Sequence, residues 1–321
     1  MSKFLGKRTP PRNKKQKIRN TYGKSNLGGR DFQSDMVLHE SEGINNIRKG
    51  KDKVIKTITE FVRTEVKHRK STGVVVGISG GLDSAVATCL AVKALGPNKV
   101  FGLILPDSSV TPRRDTLDAE DLAQQLGIKY KIIEVRNIKK ECLNKKLPRG
   151  SKLAKANLLV RLRMSLLYFY AAATNRLVLG TGDKSELLLG YFTKYGDGAA
   201  DLFPIAGLYK TEVRELAQYL SVPKRVIKKK SSARLWKGHT AEGEIGMSYE
   251  EIDNILRRLE KNQSTKNSNR GTSLEVSTSI SRITKTNKKN VKRLIDLMER
   301  SKHKHEMPPI CKLDGTKITR E

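Results

Sequence analysis

The stretch from Gly73 to Ala87, GVVVGISGGLDSAVA, constrains this chain more than any other. Val74, Val75, Val76 and Ile78 form an apolar run of buried-strand length that stops at Ser79-Gly80-Gly81. A helical pattern through Ala85, Val86, Cys89, Leu90 and Val92 begins directly after Asp83-Ser84. The stretch predicts a strand, a glycine turn and a helix start, and such a turn suits a phosphate. Two glycines let the backbone approach an anion, the first helical N–H groups point at it, and Ser79 and Ser84 can add hydroxyl donors. Asp83 would repel a polyphosphate unless a cation stood between them, so its carboxylate reads as a Mg2+ ligand. The bland alternative is a tight corner that binds nothing.

Neither G-x-x-x-x-G-K-[ST] nor G-x-G-x-x-G is present here. Composition adds a rival to a nucleotide enzyme: Lys and Arg exceed Asp and Glu by 64 − 33 = 31, a surplus that suits nucleic acid or anionic lipid. Part of it is local, since residues 1–30 carry ten Lys or Arg and no acid. With few large apolar side chains, residues 1–40 are expected to form a disordered basic tail, the one place where nucleic acid could bind. The tail has no apolar core of a signal peptide, and no apolar run approaches a membrane span. Cys89, Cys142 and Cys311 are widely separated and form no C-x-x-C pair, which suggests reduced thiols in a cytoplasmic protein.

Strands are expected at 74–78, 100–105, 130–135 and 177–180, alternating with helices at 44–66, 116–126 and 152–174, the last long and apolar. This order predicts an α/β fold, a doubly wound parallel sheet with helices on both faces and ligands at the carboxyl ends of its strands. Beyond it follow a Gly- and Asp-rich loop at 191–204, a helix at 210–220, a flexible segment at 228–246, and helices at 248–261 and 288–302 that flank a polar insert at 262–287.

Ser79-Gly80-Gly81-Leu82-Asp83-Ser84 resembles the pyrophosphate loop of the N-type ATP pyrophosphatases. Further blocks narrow the resemblance: 180-GTGDKSE-186, 190-GYFTKYGDG-198 with Asp201, and 208-LYKTEV-213 look like the signatures of NAD synthetase, in order and spacing. Arg161-Leu162-Arg163-Met164, the stretch from Glu244 to Asp253, and Lys302-His303-Lys304 before Pro308 are similar to that family too. The resemblance covers about residues 45–310 apart from the 262–287 insert, which implies a synthetase-like domain at 41–310 and leaves 311–321 as a C-terminal tail.

The resemblance implies a Rossmann-like fold of the adenine nucleotide α-hydrolase type and ATP-dependent amidation of deamido-NAD to NAD through an acyl-adenylate. It implies a homodimer with the 152–174 helix at or near the interface. By motif, Gly77, Ile78, Ser79, Gly80, Gly81, Leu82, Asp83 and Ser84 would hold ATP phosphates, with Thr181, Lys210 and Ser232 completing the site. Asp83 and Glu186 would hold Mg2+, and Lys210 would neutralise phosphate charge, so Asp83 and Lys210 are the catalytic candidates. Arg161, Lys194, Asp201, His303 and Lys304 fall at the deamido-NAD positions. Seen singly, Lys210 reads as a surface lysine, Glu186 as a helical-face carboxylate and Arg161 as an ion-pair partner.

Some positions depart from the family. Asp183 stands where the archaeal-type pattern has Asn, Ser231 where Pro is usual, Arg234 where Gly is usual, and 239-HTAE-242 where Gln-Thr-Asp-Glu is usual. Ala241 thus removes a carboxylate from a loop expected to fold over the site. Glutamine-using members carry a nitrilase-like domain ahead of the synthetase; here 72 residues precede Gly73, so ammonia is the expected nitrogen donor. The rivals are an ATP pyrophosphatase acting on tRNA and a noncatalytic nucleotide or nucleic-acid binder.

Overall fold

The computed structural model describes residues 47–144, 148–236, 238–264, 278, 280–282, 284 and 286–311. The expected basic tail, the chain beyond 311 and most of the 262–287 insert lie outside the described residues. In chain order the elements are α1 (Ile47–His68), β1 (Gly73–Gly77), α2 (Leu82–Leu95), β2 (Val100–Ile104), α3 (Arg113–Gln125), β3 (Lys129–Ile132), α4 (Arg136–Asn144), α5 (Lys152–Ala173) and β4 (Arg176–Leu179). They are followed by α6 (Lys184–Leu189), α7 (Lys210–Tyr219), α8 (Lys224–Ile227), α9 (Ala241–Ile245), α10 (Tyr249–Ser264) and α11 (Lys288–Ser301).

The strands form one parallel sheet in the order β3-β2-β1-β4. Central β1 is buried on both faces: Val74 and Val76 pack into one core, Val75 into the other, and none is exposed. Branched side chains on both faces are what a covered parallel strand requires. Helices α1, α2, α3 and α7 cover the face of Val74 and Val76. Helix α5 covers the opposite face, where Leu159 and Ala171 pack with Val75, Leu103 and Val178. The fold is the expected doubly wound, Rossmann-like α/β arrangement. The chain leaves β1 toward β2 and β3, then returns through α5 to β4 on the other side, and this reversal opens a crevice at the carboxyl ends of β1 and β4.

Element ends shift by up to three residues from the sequence expectation, and two differences have a local cause. Strand β3 ends at Ile132 rather than 135, although Ile133 N and Val135 N still donate to Ile104 O and Pro106 O. The chain keeps its partners while turning toward α4, and its outer position leaves Lys129, Lys131 and Ile132 exposed. Helix α1 contains a break at Gly50, whose φ and ψ of −128° and 16° are non-helical.

The C-terminal helices build a second core. Tyr249, Ile252, Ile255 and Leu256 of α10 pack with Val291 and Leu294 of α11 against Leu189 and Tyr209. Ile280 is also fully buried there, so the insert read as a polar linker contributes an apolar anchor. Among the described residues no helix is long and apolar enough to cross a membrane.

Candidate functional site

A cleft opens at the carboxyl ends of β1, β2 and β4, with an empty volume of about 1600 Å³ when its open mouth is included. Its floor is the glycine turn. Gly80 has φ +74°, and a Cβ there would lie 2.0 Å from Asp115 O, so the turn needs glycine both for its conformation and for its contact with α3. Helix α2 begins after Gly81 with no side-chain cap, leaving the N–H groups of its first turn without helical partners, as an anion site requires.

The turn partly satisfies itself. Ser84 Oγ donates to Gly81 O at 3.1 Å and accepts from Ser79 N at 3.2 Å, so this hydroxyl shapes the loop. Gly81 N donates to Ser79 Oγ at 3.2 Å. Ile78 and Leu82 bury their side chains in the core and can offer only backbone to a ligand. Gly77 and Thr181 line the same cleft.

Beside the turn stands a buried charge cluster. Lys210, the first residue of α7, has no exposed side-chain surface, and its Nζ lies 2.8 Å from Asp83 Oδ2, 2.6 Å from Asp183 Oδ2 and 2.9 Å from Glu186 Oε1. Each element supplies its member for a local reason. Asp83 sits in the first turn of α2. Asp183 and Glu186 form the capping box of α6, where Asp183 Oδ1 accepts from Glu186 N at 2.8 Å. Lys210 N donates to Ser185 Oγ at 2.9 Å, Ser185 Oγ donates to Asp253 Oδ1 at 2.5 Å, and Thr211 N donates to Asp253 Oδ2 at 2.9 Å, which fixes the start of α7. The ring of Tyr249 lies 5.0 Å from the ammonium.

Three carboxylates against one ammonium leave a surplus of negative charge. Burial pushes the Asp183 carboxyl up to about 6, with Lys210 opposing and the Asp83 charge adding to it. Burial likewise lifts Glu186 well above the usual carboxylate range, against Lys210 and with Asp183 and Asp83 adding. Burial works against the Lys210 charge, but the same carboxylates carry its pKa well above that of an ordinary lysine. One oxygen from each acid can be chosen so that all lie within 4.8 Å of one another, and the buried Asp83 Oδ1 has no hydrogen-bond partner among the described residues. An all-oxygen set with excess charge and an orphaned oxygen fits a hard divalent cation.

The segment expected to close over the site lies across the cleft, where Lys229, Ser231, Ser232 and Arg234 join its lining. Ser232 Oγ donates to His239 O at 2.5 Å and accepts from Arg234 N at 3.1 Å. Ala241, where an acid was expected, is buried. The remaining acids are engaged: Glu242 Oε1 accepts from Tyr249 N at 3.0 Å, and Glu244 Oε2 accepts from Tyr191 OH at 2.6 Å and lies 2.8 Å from His239 Nε2. Burial would raise the Glu244 carboxyl, but Tyr191 and His239 bring it below its ordinary value.

Four of the substrate candidates gather around the 190–198 loop. Arg161 Nε donates to Lys194 O at 3.2 Å, Lys194 Nζ donates to His303 O, and Lys304 Nζ donates to Gly190 O at 2.6 Å and Phe192 O at 2.8 Å. Asp201 makes its contacts elsewhere, accepting from Val178 N at 2.7 Å with Arg69 Nη1 4.0 Å away. In the sequence Asp183 stands out only as a departure from the family, although its D-x-x-E capping spacing with Glu186 is a local signal for it. Arg163, which lies in the family-like 161–164 block but has no site role in the sequence reading, lines the cleft with Nε donating to Leu105 O at 2.9 Å.

Comparison with known proteins agrees with this geometry. The family model for NAD synthase matches residues 54–308. The chain is 47% identical over 262 residues to the NH(3)-dependent NAD(+) synthetase of Archaeoglobus fulgidus, covering 82% of this chain and 97% of that one. Among solved structures, it resembles the NMN synthetase of Francisella tularensis with a TM-score of 0.68 at 33% identity, covering 81% of this chain and 98% of the other. It also resembles the NH3-dependent NAD synthetase of Campylobacter jejuni, solved with nitrate, with a TM-score of 0.67 at 34% identity over 81% and 99% of the two chains. A match this long establishes that the chain belongs to the NAD synthase family.

Proposed function

We propose that this chain catalyses the ATP-dependent amidation of deamido-NAD to NAD with ammonia. The observation that carries this reading is the Lys210 ammonium held among Asp83, Asp183 and Glu186 beside an anion-binding turn. A carboxylate does not react with ammonia until one oxygen becomes a leaving group, and ATP provides this. The substrate carboxylate attacks the α-phosphorus, the bond to the bridging oxygen breaks, and pyrophosphate leaves. Ammonia then adds to the acyl carbon of the adenylate and gives up a proton, and AMP departs with the C–O electron pair.

Both reactants are anions, so the work is positioning and charge neutralisation. The N–H groups of the first turn of α2 hold the phosphates, to which Ile78 and Leu82 contribute backbone alone, while Thr181 and Ser232 complete the ATP site. Lys210 neutralises charge developing on the phosphate oxygens, a task worth about 3–4 kcal/mol for a single preorganised donor in related chemistry. Asp83 and Glu186, with Asp183 beside them, would hold Mg2+, which when bound supplies Lewis-acid polarisation of a phosphate oxygen. Arg161, Lys194, Asp201, His303 and Lys304 are the residues assigned to deamido-NAD, where cations suit a substrate that carries a pyrophosphate and a carboxylate.

The chain acts as a homodimer through α5, a reading supported by the apolar surface of that helix, on which Phe169 is 74% exposed and Leu153 51%. Sedimentation of the Phe169→Glu variant tests it: a monomer is expected, and an unchanged dimer would overturn it. A cytoplasmic setting is supported by three free thiols.

The deciding experiment follows AMP and NAD together from deamido-NAD, ATP and Mg2+, with ammonium or glutamine as donor. NAD with ammonium, lost in Asp83→Ala, is expected. Offering the mononucleotide acid in parallel separates this reading from that of an NMN synthetase. AMP without NAD, or no AMP at all, would overturn the assignment.

A further inference from the structure

Residues 228–236 are tied to helices on opposite faces of the sheet. On one side Lys229 Nζ lies 2.7 Å from Asp115 Oδ1 and 2.6 Å from Asp118 Oδ2, and donates to Gly80 O at 2.8 Å. Arg234 Nε lies 2.7 Å from Asp115 Oδ2. Asp115 and Asp118 are 4% and 2% exposed and, three residues apart, share one side of the first turns of α3. Just before the segment, Arg225 Nε lies 2.7 Å from Asp118 Oδ1 and Arg225 Nη2 2.6 Å from Asp121 Oδ2. On the other side, the Trp236 ring has Lys152 Nζ, at the start of α5, 4.4 Å from its centroid, and its edge contact with His239 is also 4.4 Å. Ser232 and Ala233 line the cleft between these anchors.

We infer that Asp115 and Asp118 are positioning residues that dock this strap across the cleft through Lys229 and Arg234, holding Ser232 at the nucleotide site before nucleotide arrives. Three observations bear on this. Nearly buried Asp115 is paired by Lys229 and Arg234, over 100 positions away, so releasing the strap would strand it, whereas Asp118 would keep Arg225 and Arg114. Arg234 adopts φ +49°, a conformation that L-residues other than Asn and Asp seldom take, and its ion pair with Asp115 offsets that strain. Lys229 bridges the two acids to the carbonyl of Gly80, so the strap and the phosphate turn cannot move independently. The inference rests on the cleft being the ATP site proposed above.

Trp236 is the chain's single tryptophan and reports on the strap directly. Acrylamide quenching of its fluorescence is measured on the full chain without nucleotide, for wild type, Asp115→Asn and Arg234→Gln. The expected result is a quenching constant raised about twofold or more in both variants, and raised in wild type by added salt, because salt screens the ion pairs. If only about a tenth of a variant's molecules hold the strap docked, KM for ATP rises about tenfold while kcat at saturation stays near wild type. A merely structural change would lower both activity and thermal midpoint without that split. Should Asp115→Asn fail to fold, Arg234→Gln, on a partly exposed loop, still decides. Unchanged quenching in folded Arg234→Gln overturns docking, and raised quenching with unchanged KM overturns the positioning role. Altered quenching in a protein that makes no NAD would sink the proposed reaction and leave the strap standing.

Discussion

Lys210 and Asp83 are separated by 127 positions in the chain, yet their side chains meet at 2.8 Å at the carboxyl end of the sheet. Helices α2 and α7 pack side by side on one sheet face, and each aims its first turn at the same point. The cluster this creates is stable only with its cation in place, because Asp183 and Glu186 share that ammonium.

Lys210→Met is therefore expected to lose both stability and activity. Removing one partner of a buried ionic group costs about 3–5 kcal/mol. Denaturant unfolding without divalent ions should show a loss of that size, and kcat should fall by about 10²–10³. A folded variant with near-normal kcat would show that Lys210 is structural only.

Mg2+ alone, without nucleotide, is expected to raise the thermal midpoint. At a hundredfold excess over its dissociation constant an ion that binds only the folded state adds about 2.7 kcal/mol. Asp83→Asn should reduce this response most, since it removes a charge and the orphaned Oδ1 position. Equal responses in wild type and Asp83→Asn would remove the cation site from this cluster.

Asp107 supplies a pH-dependent test away from the cluster. Burial alone would raise its carboxyl, but Lys139 and Ser109 together lower it below the usual carboxylate range. A depressed carboxyl stabilises the fold above its unfolded value near 3.8, and that contribution is lost as pH falls through the lower folded value. Asp107→Asn should thus be less stable than wild type at pH 7, by about 1.5–3 kcal/mol for a charged hydrogen bond. The two denaturation curves should converge below pH 4, and a constant gap would refute the linkage.

Thiol labelling at pH 8 should separate the cysteines. Burial pushes the Cys89 thiol up to about 11, whereas Cys142 is partly exposed and Cys311 is exposed. Two thiols are expected to react with a disulfide reagent in the folded protein and the third only after denaturation. Rapid titration of all three would mean that α2 opens readily.

Gly80→Ala is expected to fold poorly and to bind ATP weakly. Its added methyl would have to displace Asp115 O, 2.0 Å away, from a backbone at φ +74°. Calorimetry with ATP and thermal denaturation should both register the change, and wild-type values in both would show that the turn can relax.

Local pattern made much of this protein legible. The Val74–Ile78 run, the glycine turn and the apolar rhythm of α2 and α5 each depend on neighbours in sequence, and all appear where they were expected. The same holds for the capping spacing of Asp183 and Glu186, which sets their backbone even though its meaning for the cluster went unread. The sequence by itself thus determined the alternation of strands and helices, the glycine turn and the family, because strand period, helix period and glycine conformation act over a few residues. Only the tertiary structure decided that Asp183 joins Asp83 and Glu186 on Lys210, that Asp115 and Asp118 hold Lys229 and Arg234, and that Ile280 belongs to the second core. Those contacts join segments far apart in the chain, and their geometry follows from how helices pack on the sheet, which no periodicity within either segment encodes.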